Sequence, residues 1–278
     1  MFNILNWWFK VENKVFKNIL LEKGEGIGKI ILNRPQVLNA ISPELLEEFS
    51  EAVKLMAEDE DVKVVIVKGA GRAFSSGTDL KAFGQAFKEI DAEKVRRNIR
   101  RINDTLLLLE NMSKPTIAMI HGVALGAGLE LALACDMRIA SRNTRLGLPE
   151  VSFGLIPDMG GAQRLPRIVG LGKAKELVLT GELIDAEEAE RIGLINKVVS
   201  EDKLEEETVN LAKKLMENSP IAISMAKSIL NRALDIDLTS LIDYSADIQV
   251  LCFKSENQLK YIERFLERRK EKEAQKQV

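Results

Sequence analysis

From about residue 16 to residue 200, short apolar runs alternate with amphipathic stretches, the pattern of an α/β fold whose strands are joined by helical crossovers. The run "FKNILLEKGEGIGKIILNRP" alternates apolar and polar residues about a glycine turn and stops at Pro35, which predicts a hairpin. "SPELLEEFSEAVKLMAED" predicts a helix, with Ser42 as N-cap, Pro43 at its first position and acids in its first turn. "VKVVIVKG" (Val62–Gly69) reads as a buried strand, followed by the loop "AGRAFSSGTDL" and a helical region to about Met112. The alternation continues with a strand in "KPTIAMIHG", a helix over 128–135, a strand in "MRIAS" and a helix in "GGAQRLPRIVG". "GKAKELVLTG", "DAEEAERIG" and the strand-like "LINKVV" complete it. From about Glu201 onward everything reads as helix. The expected organisation is an extension over 1–15, an α/β core over 16–200 and a helical region over 201–278.

With 278 residues, 46% of them apolar and 29% charged, the chain can bury a substantial core under a polar surface. A net charge of −2 points to neither a nucleic acid nor an acidic membrane as partner. Ile117–Cys135 is long and apolar, but His121, Glu130 and the glycines at 122, 126 and 128 argue against a bilayer span. "MFNILNWWFK" lacks the basic region and cleavage site of a signal peptide and reads as a surface extension or a subunit contact. Cys135 and Cys252 are too few for a disulfide framework and read as buried thiols, so the expected location is cytoplasmic. The stretch Lys260–Val278 carries seven basic and four acidic residues, which suits a solvated helix face or a contact with an anion such as phosphate.

Several chemistries are excluded by what is missing. His121 is the only histidine, and no G-x-S-x-G elbow, zinc-spaced Cys/His cluster or phosphate-loop motif occurs. Gly126 and Gly128 imitate a dinucleotide fingerprint, but its third glycine position holds Leu131.

"GVALGAGLELALACD" (Gly122–Asp136) is a glycine-rich turn feeding an apolar helix. Glycines let backbone approach a ligand, and the first N–H groups of a helix have no partner inside it. Residues 126–128 are therefore a candidate oxyanion site, and the glycine loop "AFSSGTDL" offers a second free N–H. Glu130 lies in the first turn of that apolar helix, Glu150 follows a proline turn, and Asp158 comes eight residues later. Two carboxylates sharing one site separate into a proton donor and a base. "IPDMGG" leaves two roles open for Asp158, a helix N-cap or a third acid.

The stretches "LNRPQVLNAIS", "GRAFSSGTDL", "HGVALGAGLELALACDMRIAS", "LGLPEVSFGLIPDMGGAQRLPRIVG", "LTGELIDAEEAERIGLINKVV" and "ENQLKYIERFLERRK" punctuate a region covering roughly residues 16–270. In order and spacing they resemble the enoyl-CoA hydratase/isomerase (crotonase) superfamily. The resemblance implies an α/β spiral of repeated ββα units with a C-terminal helical trimerisation region, a homotrimer or homohexamer, and an acyl-CoA thioester as substrate. Coenzyme A is then part of the substrate, and no separate cofactor or metal is expected.

The resemblance also implies roles. The amides of Thr78 and Ala127 would form the oxyanion hole, Ala127 standing where relatives have glycine, which requires a backbone conformation that accepts a side chain. Arg34, Val37, Ser76, Lys81 and Gly126 match positions that line coenzyme A, and Phe265 and Arg268 match tail positions that touch a neighbouring subunit's ligand. Glu130 would orient and deprotonate a water, and Glu150 would deliver a proton to Cα. The Glu150–Asp158 spacing also resembles dienoyl-CoA isomerases. The alternatives implied are enoyl- or dienoyl-CoA isomerisation, ring-acyl-CoA hydration or hydrolysis, with an acyl pocket walled within Phe83–Met112, and the RNA binding of some relatives.

Overall fold

The computed structural model describes residues 16–84, 91–255 and 258–275. The N-terminal extension and part of the expected acyl-pocket wall lie outside them. Strands β1 (Ile19–Gly24) and β2 (Ile27–Leu32) pair antiparallel, Ile19 opposite Leu32. Their two-residue turn puts both Glu25 and Gly26 at positive φ (52° and 79°), the twist that closes a tight hairpin. Helix α1 (Pro43–Glu58) starts where Ser42 Oγ accepts the Leu45 N–H at 3.2 Å. Its buried residues, Leu45, Leu46, Phe49, Ala52, Val53 and Met56, recur at helical spacing and cover one face of the sheet.

The chain continues through β3 (Val64–Gly69), a single turn α2 (Leu80–Phe83), α3 (Ala92–Glu110), β4 (Thr116–Ile120), β5 (Val123–Leu125) and α4 (Ala127–Leu133). Then come β6 (Met137–Ser141), β7 (Arg145–Gly147), α5 (Gly161–Val169), α6 (Leu171–Thr180), β8 (Ile184–Asp185), α7 (Ala186–Arg191) and β9 (Lys197–Val199). Four longer helices follow: α8 (Leu204–Met216), α9 (Pro220–Arg232), α10 (Leu238–Phe253) and α11 (Gln258–Gln275).

One sheet runs β1-β2-β3-β4-β6-β9 and is parallel from β2 onward. A second, small sheet runs β5-β7-β8. Alternate strand residues serve two apolar layers. Val65, Val67, Ala118 and Ile120 face α1, α3 and α4, while Val64, Ile66, Ile117 and Met119 face the α8 side with Leu204 and Ala212. A parallel sheet covered on both faces explains why β3 and β4 are apolar runs without alternation. Helix α9 is tied to the core by a part-buried ion pair, Lys227 Nζ to Asp136 Oδ2 at 2.8 Å; the same oxygen accepts the Thr116 amide at 2.7 Å.

The α/β core and the helical C-terminal region follow the sequence reading, with several corrections. The third strand begins at Val64 rather than Val62, and the helix expected over 128–135 spans Ala127–Leu133. The small sheet is absent from the sequence reading because strands of two or three residues are too short to show alternation. Of the two cysteines only Cys135 is buried; Cys252 is half-exposed on α10. Burial in apolar surroundings pushes the Cys135 thiol up to about 12, so it is inert. Among the described residues no helix is long and apolar enough to cross a membrane.

Candidate active site

Two loops at the same end of the sheet carry the candidate amides. Ser75 bridges to Ala124: its N–H donates to Val123 O at 3.0 Å and its carbonyl accepts the Leu125 N–H at 3.1 Å. Gly77, at φ 96°, runs so close beside the second loop that a β-carbon there would lie 2.7 Å from Leu125 O and 3.7 Å from the Ala127 nitrogen. Thr78 bridges to Ile41 through its neighbours, Ile41 N to Gly77 O at 2.7 Å and Asp79 N to Ile41 O at 2.9 Å, so its own amide lies outside those bonds. Ala127 opens α4, where an N–H has no acceptor within the helix, and its φ is not positive, so a methyl group is accommodated.

The carboxylates converge beside these loops. Glu130, on the buried helix α4, is 1% exposed. Its Oε1 accepts the Met159 N–H at 2.9 Å and the Gly161 N–H at 2.8 Å. Burial pushes its carboxyl up to about 8 against those two bonds, with the charges of Glu150 and Asp158 adding to the rise. A side chain at Gly161 would stand 2.8 Å from Glu130, so only glycine fits the approach. Glu150 sits on the 3-10 turn Pro149–Phe153. Both of its carboxylate oxygens are buried, and neither has a hydrogen-bond partner. Burial raises its carboxyl, and the Asp158 charge adds to that. Gly126 (φ 48°, ψ −126°) lets the second loop pass this carboxylate, because a β-carbon there would lie 2.9 Å from Glu150 Oε1.

Asp158 is at the open rim of this group, raised by partial desolvation and close enough for its charge to act on both glutamates. The cap role left open for it is not realised: α5 starts at Gly161 behind Gly160, with no side-chain cap bond.

The remaining expected residues are placed more loosely. Arg34 is turned inward, Nη2 to Asp79 Oδ2 at 2.9 Å and Nη1 to Ala40 O at 2.6 Å, and so braces the Thr78 loop. Val37 is exposed on the 3-10 turn Pro35–Val37, and its carbonyl accepts Ser76 Oγ at 3.4 Å. Lys81 is exposed on α2. Phe265 lines a groove between α9, α10 and α11 with Met225 and Ile262, and Arg268 pairs with Glu217 at 3.0 Å; the structure does not bring either to the carboxylates. His121 packs through Nε2 against Gly71 O at 2.9 Å.

Met159, Gly161, Ser75 and Asn39 belong to the site and are missing from the sequence reading. The glycine pair in "IPDMGG" is the one local signal for the first two. Among the described residues no cluster of three or more metal-ligating side chains forms.

The sequence profile of the enoyl-CoA hydratase/isomerase family matches residues 22–276. The chain belongs to that family. It is similar to the crotonyl-CoA hydratase of Syntrophomonas wolfei, 38% identical over 256 residues that cover 92% of this chain and 97% of that protein. It is equally similar to the short-chain-enoyl-CoA hydratase of Clostridium acetobutylicum, 38% identical over 254 residues, 91% of this chain and 96% of that one. Among solved structures, an enoyl-CoA hydratase from Bacillus anthracis superposes with a TM-score of 0.85 at 37% identity, covering 91% of this chain and 97% of the other. The two amide-bearing loops and the three acids of this family member thus all lie within the matched span.

Proposed function

We propose that this protein is an enoyl-CoA hydratase, adding water across the α,β double bond of a short acyl-CoA thioester. The observation that carries the reading is the pair of buried carboxylates beside the two bridged loops, one carboxylate already bonded and the other with both oxygens unpartnered. An unpartnered buried carboxylate costs several kcal/mol unless it keeps its proton or meets a ligand. Glu150 therefore suits a proton donor. Glu130, held by two amides, suits the base in its ionised form: burial pushes its carboxyl up to about 8, so that form grows as pH rises toward 8 and is then a stronger proton acceptor than a surface glutamate.

Glu130 takes a proton from water, the water oxygen bonds to Cβ, and the π electrons move onto the thioester oxygen. The Thr78 and Ala127 amides hold that oxygen while it is charged; losing one such donor costs about 3–4 kcal/mol of transition-state stabilisation. Glu150 then gives its proton to Cα. Arg34, through Asp79, keeps the first loop in place. Val37, Ser76, Lys81 and Gly126 line the approach for coenzyme A.

Asp158 favours a second reading. A third acid beside the other two suits a site that also shifts a double bond by taking a proton from one carbon and returning one to another. Exposed apolar side chains in the C-terminal helical region, including Leu230, Leu234 and Leu238, suit a trimer or paired trimers in which Phe265 and Arg268 reach a neighbour's ligand.

Loss of enoyl absorbance with crotonyl-CoA, followed for the wild type and for Glu130→Gln and Glu150→Gln, tests the reading. Each variant is expected to lose at least 1,000-fold in kcat, on the order of 4 kcal/mol. Unchanged rates in both would end the assignment.

A further inference from the structure

Ser75 joins the two candidate amides through one residue. It is fully buried, and its main chain makes both bonds of the bridge to the second loop, two residues before Gly126. Its side chain serves the first loop: Oγ donates to Asn39 O at 2.9 Å and accepts the Gly77 N–H at 3.2 Å. Helix α4 closes over it at Gly128, where a β-carbon would come within 2.7 Å of Ser75 Cβ.

The bond to Gly77 matters because of where the next amide points. Gly77 O accepts Ile41 N at 2.7 Å, and in a trans peptide the following N–H, that of Thr78, points the opposite way from that carbonyl. One peptide plane is thus set by Ile41 and the preceding one by Ser75 Oγ. Between them they fix the two peptide planes that flank Gly77, whose φ is 96°. The acceptor for the hydroxyl is itself rigid. Asn39 is fully buried at φ 54°, its Nδ2 donates to Ala70 O at 2.9 Å and to Ala73 O at 2.8 Å, and its Oδ1 accepts the Arg34 N–H at 2.8 Å.

We propose that Ser75 is a positioning residue, whose hydroxyl fixes the angle and separation of the Thr78 amide relative to the Ala127 amide. The inference rests on the reading that those two amides hold the thioester oxygen. A serine kept only for its small size against Gly128 would do as well as alanine.

The test is Ser75→Ala, which keeps the volume and removes both side-chain bonds, with Ser75→Cys as a second variant that restores a weak donor and acceptor. Three readouts are taken: kcat and KM with crotonyl-CoA, thermal unfolding, and the carbonyl stretch of bound butanoyl-CoA labelled with carbon-13 at the thioester carbon. Butanoyl-CoA is saturated and cannot react. In the wild type the stretch moves to lower frequency on binding. In Ser75→Ala kcat falls about 10- to 100-fold with KM changed less than threefold, and most of the frequency shift is lost; Ser75→Cys lies between. A Ser75→Ala protein with wild-type kcat and an unchanged frequency shift, whatever its melting temperature, overturns the proposal. No frequency shift in the wild type is a separate failure, that of the underlying reading.

Discussion

The Gly161 amide donates a 2.8 Å hydrogen bond to Glu130 Oε1, so the first turn of α5 holds a carboxylate that belongs to the first turn of α4. Unpaired N–H groups at a helix start favour the charged carboxylate, while burial and the neighbouring acids oppose it. Opposition wins, and the proton is held up to about pH 8.

Stability should therefore depend on pH in a defined direction. Between the ordinary glutamate value of 4.5 and about 8, folded protein keeps a proton on Glu130 that the unfolded chain has released. The contribution is complete below 4.5 and is lost as pH rises through 8, by at most about 4–5 kcal/mol. Glu130→Gln cannot release that proton, and it should lose less melting temperature than the wild type between pH 5 and pH 9. Parallel curves would contradict the assignment of the buried proton.

Asp158→Asn removes a negative charge that raises both glutamates. The rising limb of kcat/KM against pH, set by loss of the Glu130 proton, should move to lower pH, with hydration retained within about tenfold. Any double-bond migration shown by the wild type should be lost. A limb that stays in place would mean that Asp158 does not act on the pair.

Gly126→Ala combines two penalties, a φ of 48° that side chains rarely adopt and a β-carbon 2.9 Å from Glu150 Oε1. The backbone term alone is worth about 1–3 kcal/mol. Thermal unfolding should register that loss, and hydration should drop at least 100-fold as Glu150 is displaced, on the order of 3 kcal/mol. Wild-type activity in this variant would place Glu150 elsewhere.

Lys227→Met probes the fold rather than the chemistry. It leaves the part-buried Asp136 beside Thr116 without its cation, which costs up to about 3 kcal/mol, the low end of the range for a fully buried pair. Denaturant unfolding measures the loss, and Asp136→Asn in the same chain should recover part of it. The crotonyl-CoA rate below the melting range should change little; a large change would couple this ion pair to the site.

Local chemistry decided much of this protein in advance. Apolar runs named β3, β4 and β6, Ser42 and Pro43 marked the start of α1, and glycine spacing marked both loops, because capping, periodicity and turn preferences act over a few residues. Family resemblance pointed to Glu130, Glu150, Thr78 and Ala127, but nothing in their spacing brings them together. That was decided by tertiary structure: the Ser75–Ala124 bridge, the amides of Met159 and Gly161 on one carboxylate oxygen, and the rim position of Asp158 in place of a cap. Each joins segments tens of residues apart. Such contacts, and the burial that lifts the Glu130 and Glu150 carboxyls, exist only once the layers of sheet and helix have closed around them.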